Sequence, residues 1–405
     1  MLLLAWRPKP YTSDVMVQPS AKGDNGTVHW AQSEDLPTSG IREILDLALQ
    51  MPDVIRLETG EPDFPPDPAV IDAYCRAAQD GHNHYTSSWG IAPLREALAE
   101  KIQRVNHVVR SPQEILVTPG GIPALFVSFM GSMRPGEQVL VPNPGWPDYL
   151  GGVQALHLEP VPYPLAAPDF WPDLSALQNL VSPKTRALVV NFPGNPAGSI
   201  PSPELTEKLV DFAEQHDLWI ISDEVYDQIV YGRSPLSPAV IAPQRTLSVY
   251  SFSKTYAMTG WRLGYLAGPE RAMESLNRIA MGLWSSVSEP LQYAGMAALT
   301  AGGPGIQTRL GHYRERRDLC LDILRSRNIP VKAPAGAFYL LVDISRTHAD
   351  SRTFALNLLA QEHIAVAPGS AFGSATESYV RISLASSDSD LAQGVTRLSE
   401  ILAGG

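Results

Sequence analysis

At 405 residues the chain is long enough for two or three domains, each with its own core, and Gly plus Pro make up about a sixth of it, below the roughly 25–30% that marks low-complexity disorder. Acidic residues (42) outnumber basic ones (31), and the net charge of -11 opposes nonspecific attraction to nucleic acid or an anionic membrane. Charged residues reach only 18%, against a usual share of about a quarter, which leaves surface for a partner subunit to cover.

Residues 1–38 are polar, aperiodic and punctuated by Pro and Gly, and read as an arm. The opening MLLLAWRPKP has a short apolar run that stops at Arg7 and Pro8 with no basic region ahead of it, a poor match to an export signal. Cys75 and Cys320 stand far apart with no CxxC, so a reducing compartment, the cytoplasm, is expected. His82 and His84 form an HxH with no acidic or cysteine partner at ligand spacing, and no metal is expected there. From about residue 112 short β-branched runs alternate with helical ones: ILVT, EQVLVP, RALVVN, DLWIISD, TLSVYS and RLGYLAG. Helical spacing over 124–133, 203–216 and 271–279 would cover the faces of a mostly parallel sheet. Gly120, Gly121, Pro123 and Gly131 interrupt the longest uncharged run, 115–133, so it reads as strand, turn and helix rather than a membrane span. After Pro290 a long helical pattern is expected to break at GGPG, 302–305, and a smaller α/β region follows: FYLLVDI, a helix over 352–362, YVRISL and a final helix.

Two residues carry the first chemical signal. Asp223 ends a strand, the place where open α/β sheets hold ligands, and the chain has no GxxxxGK[ST] that would make this a nucleotide triphosphate site. Lys254 follows the next strand within SFSKTYAMTGWRLGY, among hydroxyls and upstream of Arg262. A reactive amine beside a phosphate site suggests pyridoxal phosphate. At this point the sequence resembles the fold-type I pyridoxal phosphate enzymes, specifically the aspartate aminotransferase family of class I/II aminotransferases. Six motifs occur in family order: GEPDFPP (60–66), YTSSWGIAPLREAL (85–98), NFPGNPAG (191–198), SDEVYD (222–227), SFSKTYAMTGWRLGY (251–265) and YVRISL (379–384).

The resemblance implies an α/β fold: a large domain over 61–295 with a mostly parallel seven-stranded sheet, and a smaller α/β domain formed by 39–60 and 296–405. It implies pyridoxal 5'-phosphate as cofactor, an L-amino acid and a 2-keto acid as substrates in ping-pong transamination, and a homodimer with shared active sites. Lys254 would form the Schiff base with the cofactor and then shuttle the substrate proton. Asp223 would keep the pyridine nitrogen protonated, while Tyr226 and Asn195 would hydrogen-bond the ring phenolate and Trp146 would stack on the ring. Ser251, Ser253, Arg262 and the amides of Gly121 and Ile122 would hold the phosphate, with Tyr85 reaching the phosphate of the partner subunit. Arg381 and the amide of Gly60 would take the substrate α-carboxylate.

The sequence departs from the family pattern in the phosphate loop, VTPGGIPAL, where Ile122 stands in place of a small polar or basic residue and Pro123 has no amide hydrogen. The segment 281–290, which resembles the family's partner-derived wall, has Trp284 but no arginine or lysine. Neutral or apolar substrate side chains are therefore expected over aspartate. Two other readings are kept: a C–S β-lyase on the same scaffold, and more remotely a serine hydrolase, since Ser251 to Lys254 spells SxxK without its KTG and SDN companions.

Overall fold

The β-branched runs form a sheet whose faces are set by the two-residue period of the strands. The computed structural model describes residues 36 and 38–404, so the arm assigned to 1–38 lies outside the described residues except for Leu36 and Thr38. The main sheet contains β2 (Ile115–Thr118), β3 (Gln138–Asn143), β4 (Glu159–Ala166), β5 (Trp171–Pro172), β6 (Thr185–Asn191), β7 (Trp219–Asp223), β8 (Thr246–Ser251) and β9 (Gly264–Ala267). A preceding two-residue strand, β1 (Ile55–Arg56), lies elsewhere. The order is β2-β9-β8-β7-β6-β3-β4-β5. β4, β3, β6, β7 and β8 run parallel, and β9 is antiparallel to both β2 and β8. Seven strands thus make up the expected sheet, and β5 adds a two-residue edge.

Alternation decides which residues face which layer. Val139, Ala187, Val189, Ile221 and Leu247 turn to one face, under helices Gly121–Ser132, Asp148–Ala155 and Glu270–Leu283. Leu140, Leu188, Val190 and Ile220 turn to the other, where helix Pro203–Gln215 brings Leu209, Val210 and Phe212. β4 was not visible in the sequence because Pro160, Pro162 and Pro164 interrupt it. At alternate positions all three missing N–H groups fall on one edge of the strand, so the opposite edge still pairs with β3.

The C-terminal region carries β10 (Tyr339–Asp343), β11 (Ile364–Ala365), β12 (Ala367–Pro368) and β13 (Tyr379–Ser383). β10, β13 and β12 form an antiparallel sheet, and β1 pairs in parallel with β11, joining residues 55–56 to this region. The expected break at 302–305 does not occur: one helix runs from Glu289 to Ser326 with Pro304 inside it. Pro304 lacks the N–H that would reach back one turn, a cost of about 3 kcal/mol in an isolated helix. Packing on both sides outweighs it, since Leu291, Ala294 and Ala298 are buried before the proline, and Ile306, Tyr313, Cys320 and Leu324 after it. Among the described residues no helix is long and apolar enough to cross a membrane.

Candidate active site

Three parallel strands end together: β6 at Asn191, β7 at Asp223 and β8 at Ser251. Their carboxyl ends open on a cavity of about 290 Å³. Of the cofactor and substrate residues named from the sequence, all but Tyr85 line it; Tyr85 is 91% exposed.

Asp223 is buried and accepts from the hydroxyl of Tyr149 at 2.5 Å and the amide of Val225 at 3.3 Å. Burial pushes its carboxyl up to about 6, against the opposing pull of those two donors and of the Lys254 charge. Asn191 Nδ2 donates to the Asp223 carbonyl (2.9 Å), and its Oδ1 accepts from the Asn195 amide (2.8 Å), so one side chain ties the Asn195 turn to the Asp223 strand. The hydroxyls of Tyr226 and Tyr339 lie 2.8 Å apart, and burial raises the Tyr226 phenol well above its ordinary value. Lys254 Nζ donates to the Gly60 carbonyl at 2.6 Å. A Cβ at Gly60 would collide with the Tyr339 hydroxyl, so glycine is required for this close approach.

An anion cradle faces the lysine. Gly120 adopts φ +107, and helix Gly121–Ser132 starts after it with no side-chain cap, leaving the Gly121 and Ile122 amides without a side-chain partner. Arg262 lies against this turn so closely that a Cβ at Gly120 would sit 2.5 Å from its Nη2. Its Nη1 donates to the Thr259 carbonyl at 2.7 Å. Ser251 Oγ accepts from the Ser253 amide (3.1 Å) and caps the short helix Phe252–Thr255 that carries Lys254. Ser251 and Lys254 thus bond other partners rather than each other, an arrangement that does not favour an SxxK nucleophile.

Arg381, on β13, is buried at 2% exposure between the rings of Tyr339 (4.2 Å) and Phe372 (4.7 Å). Nη1 donates to Asn195 Oδ1 (3.0 Å) and Nη2 to the Glu58 carbonyl (2.5 Å), while Nε has no partner. Burial lowers its pKa, as expected for a cation held without a paired carboxylate. The remaining wall includes Ile41, Leu45, Ile122, Leu125 and Trp146, and among the described residues the cations on the cavity lining are Lys254, Arg262 and Arg381.

Sequence reasoning missed Tyr149, Asn191 and Tyr339. Tyr149 stands three residues after Trp146 at the start of a helix, and Asn191 ends a strand as Asp223 does, so both carried a positional signal. Tyr339 carried none, because its role depends on β10 approaching from a distant part of the chain. The cavity therefore brings together an amine, a buried carboxylate, an anion cradle and an unpaired buried guanidinium.

The sequence model of the family described as aminotransferase class I and II matches residues 52–398. Aspartate aminotransferase of Pyrococcus horikoshii is 34% identical over 371 residues, covering 90% of this chain and 95% of that protein. Aromatic-amino-acid aminotransferase 2 of Thermococcus litoralis is 37% identical over 372 residues, covering 90% and 95%. Among solved structures, aspartate aminotransferase from Thermus thermophilus with maleate superposes with a TM-score of 0.87 at 34% identity, covering 91% of this chain and 98% of that one.

Proposed function

The chain belongs to the class I and II aminotransferases, and from that premise we propose how its own residues carry a pyridoxal phosphate-dependent transfer of the amino group of an L-amino acid to a 2-keto acid. The donor set fits the cofactor: a glycine turn and helix N-terminus beside Arg262 suit a phosphate, and the buried Asp223 suits a protonated ring nitrogen. When bound, pyridoxal phosphate supplies the electron-accepting ring and the carrier of the amino group.

Each side chain then has one task. Ser251, Ser253, Arg262 and the Gly121 and Ile122 amides would hold the phosphate, and Asp223, held by Tyr149, would keep the ring nitrogen protonated. Tyr226 and Asn195 would hydrogen-bond the ring oxygen, and Trp146 would support the ring face. Lys254 would hold the cofactor in the absence of substrate, and its amine would carry the proton between the substrate α-carbon and the cofactor carbon. Arg381 orients the substrate through its carboxylate, with the Gly60 amide beside it. The observation that carries the reading is Arg381: a planar guanidinium, buried, with an unpartnered Nε, in the same cavity as a lysine amine. A substrate carboxylate would supply the missing partner.

We further propose a preference for neutral or apolar substrate side chains. The support is Ile122 at the loop position, with Ile41, Leu45 and Leu125 also on the wall and, among the described residues, no lining cation beyond Lys254, Arg262 and Arg381 for a second carboxylate. Methionine, aromatic and aliphatic amino acids with pyruvate, a keto acid without a second carboxylate, should show higher kcat/KM than aspartate, and Ile122→Lys should raise kcat/KM for aspartate about 10- to 100-fold, the range of one charge-assisted hydrogen bond. A wild-type enzyme that prefers aspartate to every neutral amino acid tested would overturn the preference.

The reading includes a homodimer in the cytoplasm. Two free cysteines, one of them buried, support a reducing compartment. Support for the dimer comes from Tyr85, exposed at 91% on a segment fastened to helix Glu289–Ser326. Gln292 accepts from the Ile91 amide (2.8 Å) and donates to Thr86 (3.0 Å), and Glu289 accepts from the His84 amide (3.2 Å). So anchored, Tyr85 would reach the partner subunit's phosphate. Heterodimers of Lys254→Ala and Tyr85→Ala should then recover activity that neither parent has, since one of their two sites holds both intact residues. Verified heterodimers with no recovery would count against the shared site.

A further inference from the structure

Behind the turn that presents Asp223 and Tyr226 lies a buried charge cluster that the mechanism does not use. In SDEVYD, Asp223 and Tyr226 face the cavity, whereas Glu224 and Asp227 do not line it and are buried at 4% and 8% exposure. Lys101, on helix Ala92–Asn106 and 3% exposed, pairs with Asp227 and donates to Asn106 Oδ1 at 3.0 Å. Asn106 Nδ2 in turn donates to Asp227 (3.1 Å) and Glu224 (3.3 Å). Glu224 also accepts from Ser222 (2.9 Å), Ser237 (2.6 Å) and Tyr250 (3.0 Å), a donor set that suits an ionised carboxylate. The Lys101 ammonium lies 4.6 Å from the centre of the Tyr250 ring. One buried cation, on a helix that contributes nothing to the described cavity lining, therefore pairs with Asp227 and reaches Glu224 through Asn106. A buried ion pair is poor at adding stability compared with apolar side chains of the same volume, but it fixes geometry tightly.

We propose that Lys101 is a positioning residue: by holding Asp227 and, through Asn106, Glu224, it locks the back of the turn 224–228 and so sets Asp223 and Tyr226 against the cofactor. This rests on the cofactor reading but not on the reaction, so binding of pyridoxal phosphate alone to the apoenzyme tests it, followed by tryptophan fluorescence. Lys101→Met combined with Asp227→Asn removes the pair while leaving no unmatched charge between them. That variant should raise the Kd about 10-fold in the wild-type background and in an Arg262→Gln background, where only the phosphate end is altered. In a Tyr226→Phe/Asp223→Asn background it should raise Kd less than 2-fold, because the residues it acts through are gone. Equal losses in all three backgrounds, or a folded variant with unchanged Kd, would overturn the proposal. Should that variant not fold, Asn106→Ala cuts the link from Lys101 to Glu224 and leaves the Lys101–Asp227 pair in place, and a threefold rise in Kd that disappears in the Tyr226→Phe/Asp223→Asn background is expected. The same rise in every background, or none in any, counts against Lys101.

Discussion

Lys254→Ala is expected to keep binding pyridoxal phosphate through Arg262, Ser251, Ser253 and Asp223, and to lose turnover by at least the roughly 10²- to 10⁴-fold that general acid–base catalysis contributes. The reason is local. Helix Phe252–Thr255 is a single turn fixed by the Ser251 cap, and it aims Nζ into the cavity at the Gly60 carbonyl. Among the described residues no other lysine lines the cavity, so none of them offers a second amine to move the proton. Borohydride reduction of the wild-type holoenzyme followed by peptide mapping should place the cofactor on Lys254, and a label on any other lysine would remove the assignment.

Asp223→Ala carries the second large effect. Removing a preorganised charge from a buried site typically costs about 10²- to 10³-fold in kcat, and KM should change far less because Arg381, which takes the carboxylate, is untouched. Asp223→Asn should fail comparably, since an amide cannot supply the negative charge. The same residue has a signature in the apoenzyme. Its folded pKa, pushed up to about 6 by burial, lies above the ordinary aspartate value. The folded state therefore holds this proton more tightly than the unfolded chain. Its contribution is most favourable below the ordinary range and is lost as pH rises through about 6. Relative to Asp223→Asn, the wild-type apoenzyme should lose on the order of 3 kcal/mol of unfolding free energy between pH 4 and 7. Denaturant titrations of both apoproteins across that range check it, and parallel curves would show that the carboxyl is not perturbed.

The parts of this site readable from sequence are those where local pattern and chemistry coincide. A β-branched run that ends in Asp, and another that ends in Ser-Phe-Ser-Lys, announce both the strand and the residue at its mouth, as β7 and β8 show. What sequence hides is approach between distant segments. Tyr339 reaches the Tyr226 hydroxyl only because β10 packs beside the cavity, and Ile41 and Leu45 join the wall only because helix Gly40–Ala48 lies over it. Local rules also misread two elements. The prolines of β4 read as breakers until their shared edge is known, and Gly302 to Gly305 read as a helix end until the packing of both flanking halves is seen. In the helix tertiary contacts outweigh a local penalty of about 3 kcal/mol, and in β4 the prolines spare the edge that pairs.

The most direct test of the central claim is a single half-reaction. One neutral amino acid is given to the holoenzyme with no keto acid present, and keto acid and ammonia are both counted. An aminotransferase built on Lys254 and Arg381 should release about one equivalent of the matching keto acid per site, no ammonia, and then stop until a second keto acid is added. Continued release of keto acid together with ammonia from a single amino acid, as a C–S β-lyase would give with cystathionine, would contradict it.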